Sequence, residues 1–111
     1  MRSRSPSKSR AKLYTLYRSS NPDKKYDVYV ENHKTGRIKR VSFGSSQHED
    51  YTMHKDKHRR ELYRIRHNRD RYDSHLYPGF WSWHVLWGNS SDLRRAMAYT
   101  VKNLHKLSRD Y

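Results

Sequence analysis

The chain contains no cysteine. That excludes a disulfide framework, thiolate catalysis and a zinc site built on sulfur, and it fits a reducing compartment. No apolar run approaches the ~20 residues that a membrane-spanning helix needs. The basic beginning is not followed by the apolar segment of a secretory signal. Glycine occurs four times and proline three times, and the KTG at 34–36 stands without the rest of any phosphate-loop motif. Acidic residues are also scarce. Eleven Asp and Glu against 25 Lys and Arg leave a formal charge of +14 on 111 residues. Such a surplus opposes compaction and favours a polyanionic partner: nucleic acid first, an anionic membrane or an acidic protein surface after it.

Apolar residues make up 32% of the chain, no more than the charged ones. One domain with a lean core is the expectation at this length, and it buries only ~60–65% of its unfolded surface. Ten Tyr and three Trp compensate in part, since each aromatic ring buries roughly 150–250 Å².

Residues 1–12, MRSRSPSKSRAK, alternate serine with Arg or Lys and read as a disordered basic arm. The arm also fits a nuclear-localisation patch, and phosphorylation of its serines would weaken any hold on phosphate. An apolar island, LYTLY at 13–17, follows, and Asn21, Pro22 and Asp23 mark a turn. The expected division is therefore an arm with its island over 1–22, a compact body over 23–107 and a polar tail over 108–111.

Within the body, Tyr26, Val28 and Val30 alternate with polar partners, and Ile38, Val41 and Phe43 follow a turn at Asn32–Gly36. The period of two and the β-branched residues predict a hairpin with Gly36 left-handed. Residues 53–67 lack Gly and Pro and predict a basic helix. Asp50 or Thr52 caps it, and His58, Leu62 and Ile65 with Tyr51 form its buried stripe. Glu61 is expected to pair with Lys57, and Asp56 with Arg60. GFWSWHVLWG at 79–88 predicts a short aromatic helix used as core rather than as an exposed platform for bases. Asn89 or Ser90 then caps a last helix with Leu93, Met97, Thr100, Val101 and Leu104 inward. The fold class is α+β: an N-terminal β-hairpin packed against a long basic helix, a short aromatic-rich helix and a C-terminal helix.

The candidate phosphate-binding residues are Arg2, Arg4, Lys8, Arg10 and Lys12 on the arm, and Lys34, Arg37, Lys39 and Arg40 in a stripe on the hairpin. Lys55, Arg59, Arg60, Arg64 and Arg66 complete the set on the basic helix. No groove-reading motif accompanies them, so the expected activity is non-enzymatic nucleic-acid binding with little sequence choice. Two chemical alternatives are weaker. His54 and His58, at i and i+4 on one helix face with Glu61 a turn on, have the spacing of a metal pair, but no third His is fixed nearby by sequence. Asp50, Glu61 and His54 are the obvious nuclease trio, but no spacing fixes them together. No metal and no cofactor are expected.

Three blocks carry a resemblance. KTGRIKRVSFG (34–44), DYTMHKDKHRRELYRIRH (50–67) and GFWSWHVLWG (79–88) are together similar to an uncharacterised family of small basic proteins encoded by large nucleocytoplasmic DNA viruses of algae and amoebae. Asp50, Tyr51, Thr52, His54, Lys55, Asp56, Arg60 and Arg66 match its middle block, and Phe80, Trp81, Leu86 and Trp87 its aromatic block. The resemblance implies a viral origin and a place in the virion; DNA is the expected nucleic acid, and the host cytoplasm or nucleus the other expected location. It brings no catalytic activity with it. The alternative it raises is a minor capsid or scaffold protein whose basic arm binds other virion proteins.

Overall fold

The computed structural model describes residues 2–111. An antiparallel sheet of three strands runs in the order β1 (Tyr17–Arg18), β2 (Lys24–Glu31), β3 (Ile38–Ser45). β2 and β3 are the expected hairpin, with Val28 opposite Val41 and Tyr26 opposite Phe43. Its turn closes through Gly36 N–H to Asn32 O at 2.7 Å, with Gly36 at φ +73°. The helical half comprises α1 (Tyr51–His54), α2 (Lys57–Arg66), α3 (Pro78–Trp81), a π-helical turn (Ser82–Leu86), α4 (Leu93–Lys102) and α5 (Leu104–Leu107). The fold is α+β, with an antiparallel sheet at the N-terminal end, a basic helix, an aromatic-rich helical segment and a C-terminal helix.

The core forms where one sheet face meets the aromatic segment and α4. Val28, Val30, Val41 and Phe43 pack there with Phe80, Trp81, Val85, Leu86, Met97 and Leu104. Trp81 is wholly buried and its indole N–H donates to His75 O at 2.8 Å, the partner a buried indole requires. Gly44, at φ +80°, lets the aromatic segment approach the sheet, because a Cβ there would lie 2.8 Å from Leu86 Cδ1.

The other sheet face is covered as well. Asp27 and Tyr29 alternate with the core valines and are buried. Asp27 Oδ1 accepts from Ser19 Oγ at 2.7 Å and from Ser42 Oγ at 2.6 Å. Residues of the basic arm lie alongside β1, with Ser5 N–H to Arg18 O at 3.0 Å and Arg18 N–H to Ser3 O at 2.9 Å. Tyr29 Oη then donates to Pro6 O at 2.5 Å. The composition of the arm led to an expectation of disorder; extended backbone pairing and one tyrosine hydroxyl seat residues 3–6. The LYTLY island packs back too. Leu16 is buried, and Tyr14, at φ +58°, donates its N–H to Tyr29 O at 2.9 Å.

The basic helix departs from expectation in three ways. It is broken: Lys55 adopts a left-handed conformation that ends α1, and Asp56 caps α2 by accepting from His58 N–H and Arg59 N–H. The carboxyl of Asp56 is thus spent on backbone amides, which hold it below the usual carboxylate range, and not on Arg60. Glu61 pairs with Arg60 at 2.6 Å rather than with Lys57. Tyr51 is buried as expected, but the rest of the expected buried stripe is reversed. Leu62 is 40% exposed, Ile65 66% exposed, and His58 is exposed with them. Arg60, Tyr63, Arg64 and His67 face inward instead, drawn by contacts described below. At the last helix Asp92 is the cap, accepting from Arg95 N–H at 3.1 Å, and not Asn89 or Ser90.

Candidate nucleic-acid interface

The cations fall into two groups by what surrounds them. The first is spent on the fold. The π-helical turn ends with Trp87 N–H on Ser82 O, leaving the carbonyls of Trp87 and Gly88 beyond it. Arg60 Nε donates to Gly88 O at 2.6 Å and its Nη2 to Asn89 Oδ1 at 2.7 Å. Arg64 Nε donates to Trp87 O at 3.0 Å, with its guanidinium 4.8 Å from the Trp83 ring centroid. Cations at a helix C-terminus satisfy orphan carbonyls and meet the negative end of the dipole. Burial, helped by neighbouring Arg60, lowers the Arg64 pKa. Tyr63 stacks flat on Trp87, with centroids 4.2 Å apart and planes at 3°, and burial raises its phenol to about 12. These contacts set the rotation of α2.

The second group is open. A shallow basin of about 1090 Å³ lies where the arm meets the hairpin. Lys8, Arg37, Lys39 and Arg40 line it together with Ser7, Asn32, Thr35 and Tyr77, and no carboxylate side chain does. Lys39 and Arg40 do not form one stripe, because adjacent strand residues leave opposite faces. Lys39 reaches over the sheet edge to Leu76 O at 2.7 Å, and Arg40 reaches Ser20 Oγ at 3.3 Å. The basin wraps that edge and so collects both. Tyr77 is held between Lys39 and Arg71, whose cationic groups lie 5.0 and 4.1 Å from its ring centroid. Arg71 extends the basic surface beyond α2 but, standing in an irregular connector, lies outside the candidate phosphate-binding set.

The remaining candidates are dispersed. Arg4, Arg10, Lys12 and Lys34 are exposed, and Arg2 is half-buried with its guanidinium 6.0 Å from the Tyr26 centroid. Lys55 donates to Ser91 O at 3.1 Å, and Arg59 meets Glu49 at 3.4 Å. Arg66 is exposed beside a deeper groove of about 630 Å³, walled by α2 and the sheet. None of the α2 cations lines the basin.

The chemical alternatives find no assembly. The break at Lys55 separates His54 from His58, and His54 Nδ1 accepts from Asp56 N–H at 2.9 Å. Among the described residues no group of three or more His, Asp or Glu is placed to hold a metal ion. Asp50 is buried, caps α1 and pairs with Lys25 at 2.6 Å. Two other histidines, His84 and His75, serve the fold. His84 donates from Nε2 to Tyr72 O at 3.1 Å, and burial depresses its pKa to about 4. His75 is buried between Glu31 O at 2.9 Å and Ser108 Oγ at 2.7 Å, and burial lowers its pKa. Trp83 stacks on Tyr72 at 4.3 Å, so neither it nor Trp87 presents two open faces.

Residues 14–67, a little under half of the chain, are similar to a family of unknown function (DUF5754). The matched stretch runs from the apolar island through α2 and includes Arg37, Lys39 and Arg40. No curated protein and no solved structure matches the chain.

Proposed function

We propose that this protein binds nucleic acid, DNA in particular, through the phosphate backbone and without marked sequence choice. The observation that carries the reading is the basin at the arm–hairpin junction, where four cations converge with neutral hydrogen-bond donors and no carboxylate. Lys and Arg so placed neutralise phosphates and release counterions. Arginine adds fork-like contacts to phosphate oxygens, and backbone contacts of this kind position a protein without reading bases. The exposed arm cations Arg4, Arg10 and Lys12 extend the positive surface beyond the basin.

The protein acts in this reading as a binder and not as an enzyme. The viral resemblance of the three sequence blocks makes genome packaging the proposed setting. Anisotropy titration of a labelled random duplex at several salt concentrations tests it. With six to ten phosphate contacts, affinity falls by roughly 10³–10⁵ between about 50 and 200 mM salt, equally for unrelated sequences. No binding at the low-salt end removes the function and promotes the scaffold alternative.

A further inference from the structure

The stripe that the sequence marks for burial is the one the fold leaves open. Leu62 and Ile65 lie three residues apart on the outer face of α2, 40% and 66% exposed. Leu62 also lines the 630 Å³ groove, together with Tyr63, Pro78 and Gly79, over the buried Phe43 and Leu86. An apolar helix face running into an apolar groove is a surface that lacks its cover. Charge decides what the cover is. Three carboxylates line the groove, and each has a partner beside it: Glu49 with Arg59 at 3.4 Å, Asp50 with Lys25 at 2.6 Å, and Asp70 with the His67 ring nitrogen at 2.7 Å. Lys24 and Arg66 remain at the rim, exposed and without a carboxylate among the described residues.

We propose that this groove, with Leu62 in its wall and Ile65 on the adjoining outer face of α2, docks an acidic amphipathic segment of a partner protein. Its apolar side chains pack on the exposed Leu62 and Ile65 and its carboxylates meet Lys24 and Arg66. This is the helix-in-groove mode of recognition, with charges at the rim supplying orientation. Nucleic acid fits the same groove poorly. Tyr63 lies between Trp87 and His67, with centroids 4.2 and 4.1 Å away, so its faces are closed to a stacking base. A strand carries a phosphate at every nucleotide and would run past Glu49 and Asp70, whereas a peptide places its few carboxylates only at the two free cations. A second copy of the chain would bring its own +14 charge against this one. The inference stands independently of the nucleic-acid reading, which uses the basin.

Selection from a displayed random-peptide library on the immobilised full-length chain is the test. The expected outcome is enrichment of sequences with Asp or Glu between Leu, Ile or Phe at helical spacing. A labelled peptide of the consensus should shift the amide signals of α2, Gly44 and Gly79. It should bind roughly tenfold more weakly to the Leu62→Ala, Ile65→Ala double variant, the loss expected when an anchor contact is truncated. That variant keeps the charge, and both positions are exposed, so amide spectra verify its fold. Four results overturn the proposal: no enriched sequence; acidic peptides indifferent to the double variant, which is attraction by charge alone; oligothymidylate competing for the same amide shifts; or self-association in sedimentation that the double variant abolishes.

Discussion

Arg60 and Arg37 are the same residue in opposite circumstances. Arg60 aims nitrogens at Gly88 O, Asn89 Oδ1 and Glu61 Oε1, all within its own chain. Arg37 and Lys8 make no side-chain hydrogen bond or ion pair to a described residue and line a basin free of carboxylates. A surplus of +14 is therefore not one property of the molecule. Part of it closes the C-terminal end of the aromatic segment, where guanidinium groups replace missing backbone donors, and part stands open to a polyanion. Mutating the first part should cost stability, and mutating the second should cost binding.

Acid gives the largest separation. His84, beside Arg64 and buried, has its folded pKa depressed from the ordinary 6.5 to about 4. The unfolded state then binds more protons than the native state between those values, so stability is complete above pH 6.5 and is lost as pH falls toward 4. The loss amounts to about 3 kcal/mol, and lowered His75 adds to it with the same sign. Urea midpoints across that pH range measure it, and His84→Gln should flatten the profile.

Arg60→Ala comes next. It strips a charged donor from Gly88 O and should cost about 1.5–3 kcal/mol, read as a fall in the denaturation midpoint, with the salt dependence of DNA binding unchanged. Deleting residues 1–12 sits between the two classes. It uncovers Tyr29 and should cost about 1–2 kcal/mol, and it also removes Lys8 from the basin, so both stability and salt slope should fall.

How far the two regions were legible follows from what each kind of residue signals. The hairpin was legible because Tyr26, Val28 and Val30 alternate and Gly36 stands where a left-handed turn residue is needed. Use of Trp81 as core was legible because little else in the chain is large and apolar. The rotation of α2 was not. Leu62 and Ile65 spell the usual code for a buried stripe, whereas the face that packs consists of Arg60, Tyr63, Arg64 and His67, types that normally mark solvent. Their burial depends on carbonyls some 25 residues later in the chain, which no local pattern shows. Asp27 was hidden for the same reason, its serine partners lying on β3 and before β2. The surplus of cations was legible from composition alone. Their sorting into clamps and basin is tertiary: Lys8 meets Arg37, Lys39 and Arg40 only because Ser5 and Pro6 seat the arm on Tyr29.

The most direct measurement is the salt slope of duplex binding for the Lys8→Ala, Arg37→Ala, Arg40→Ala triple variant beside the wild type. Each lost phosphate contact removes about 0.9 from the log–log slope. The slope should therefore fall by about 2 to 3 units, while the denaturation midpoint stays within about 0.5 kcal/mol of wild type, as for exposed positions generally. An unchanged slope in a fully folded triple variant would contradict the assignment of the basin to phosphate.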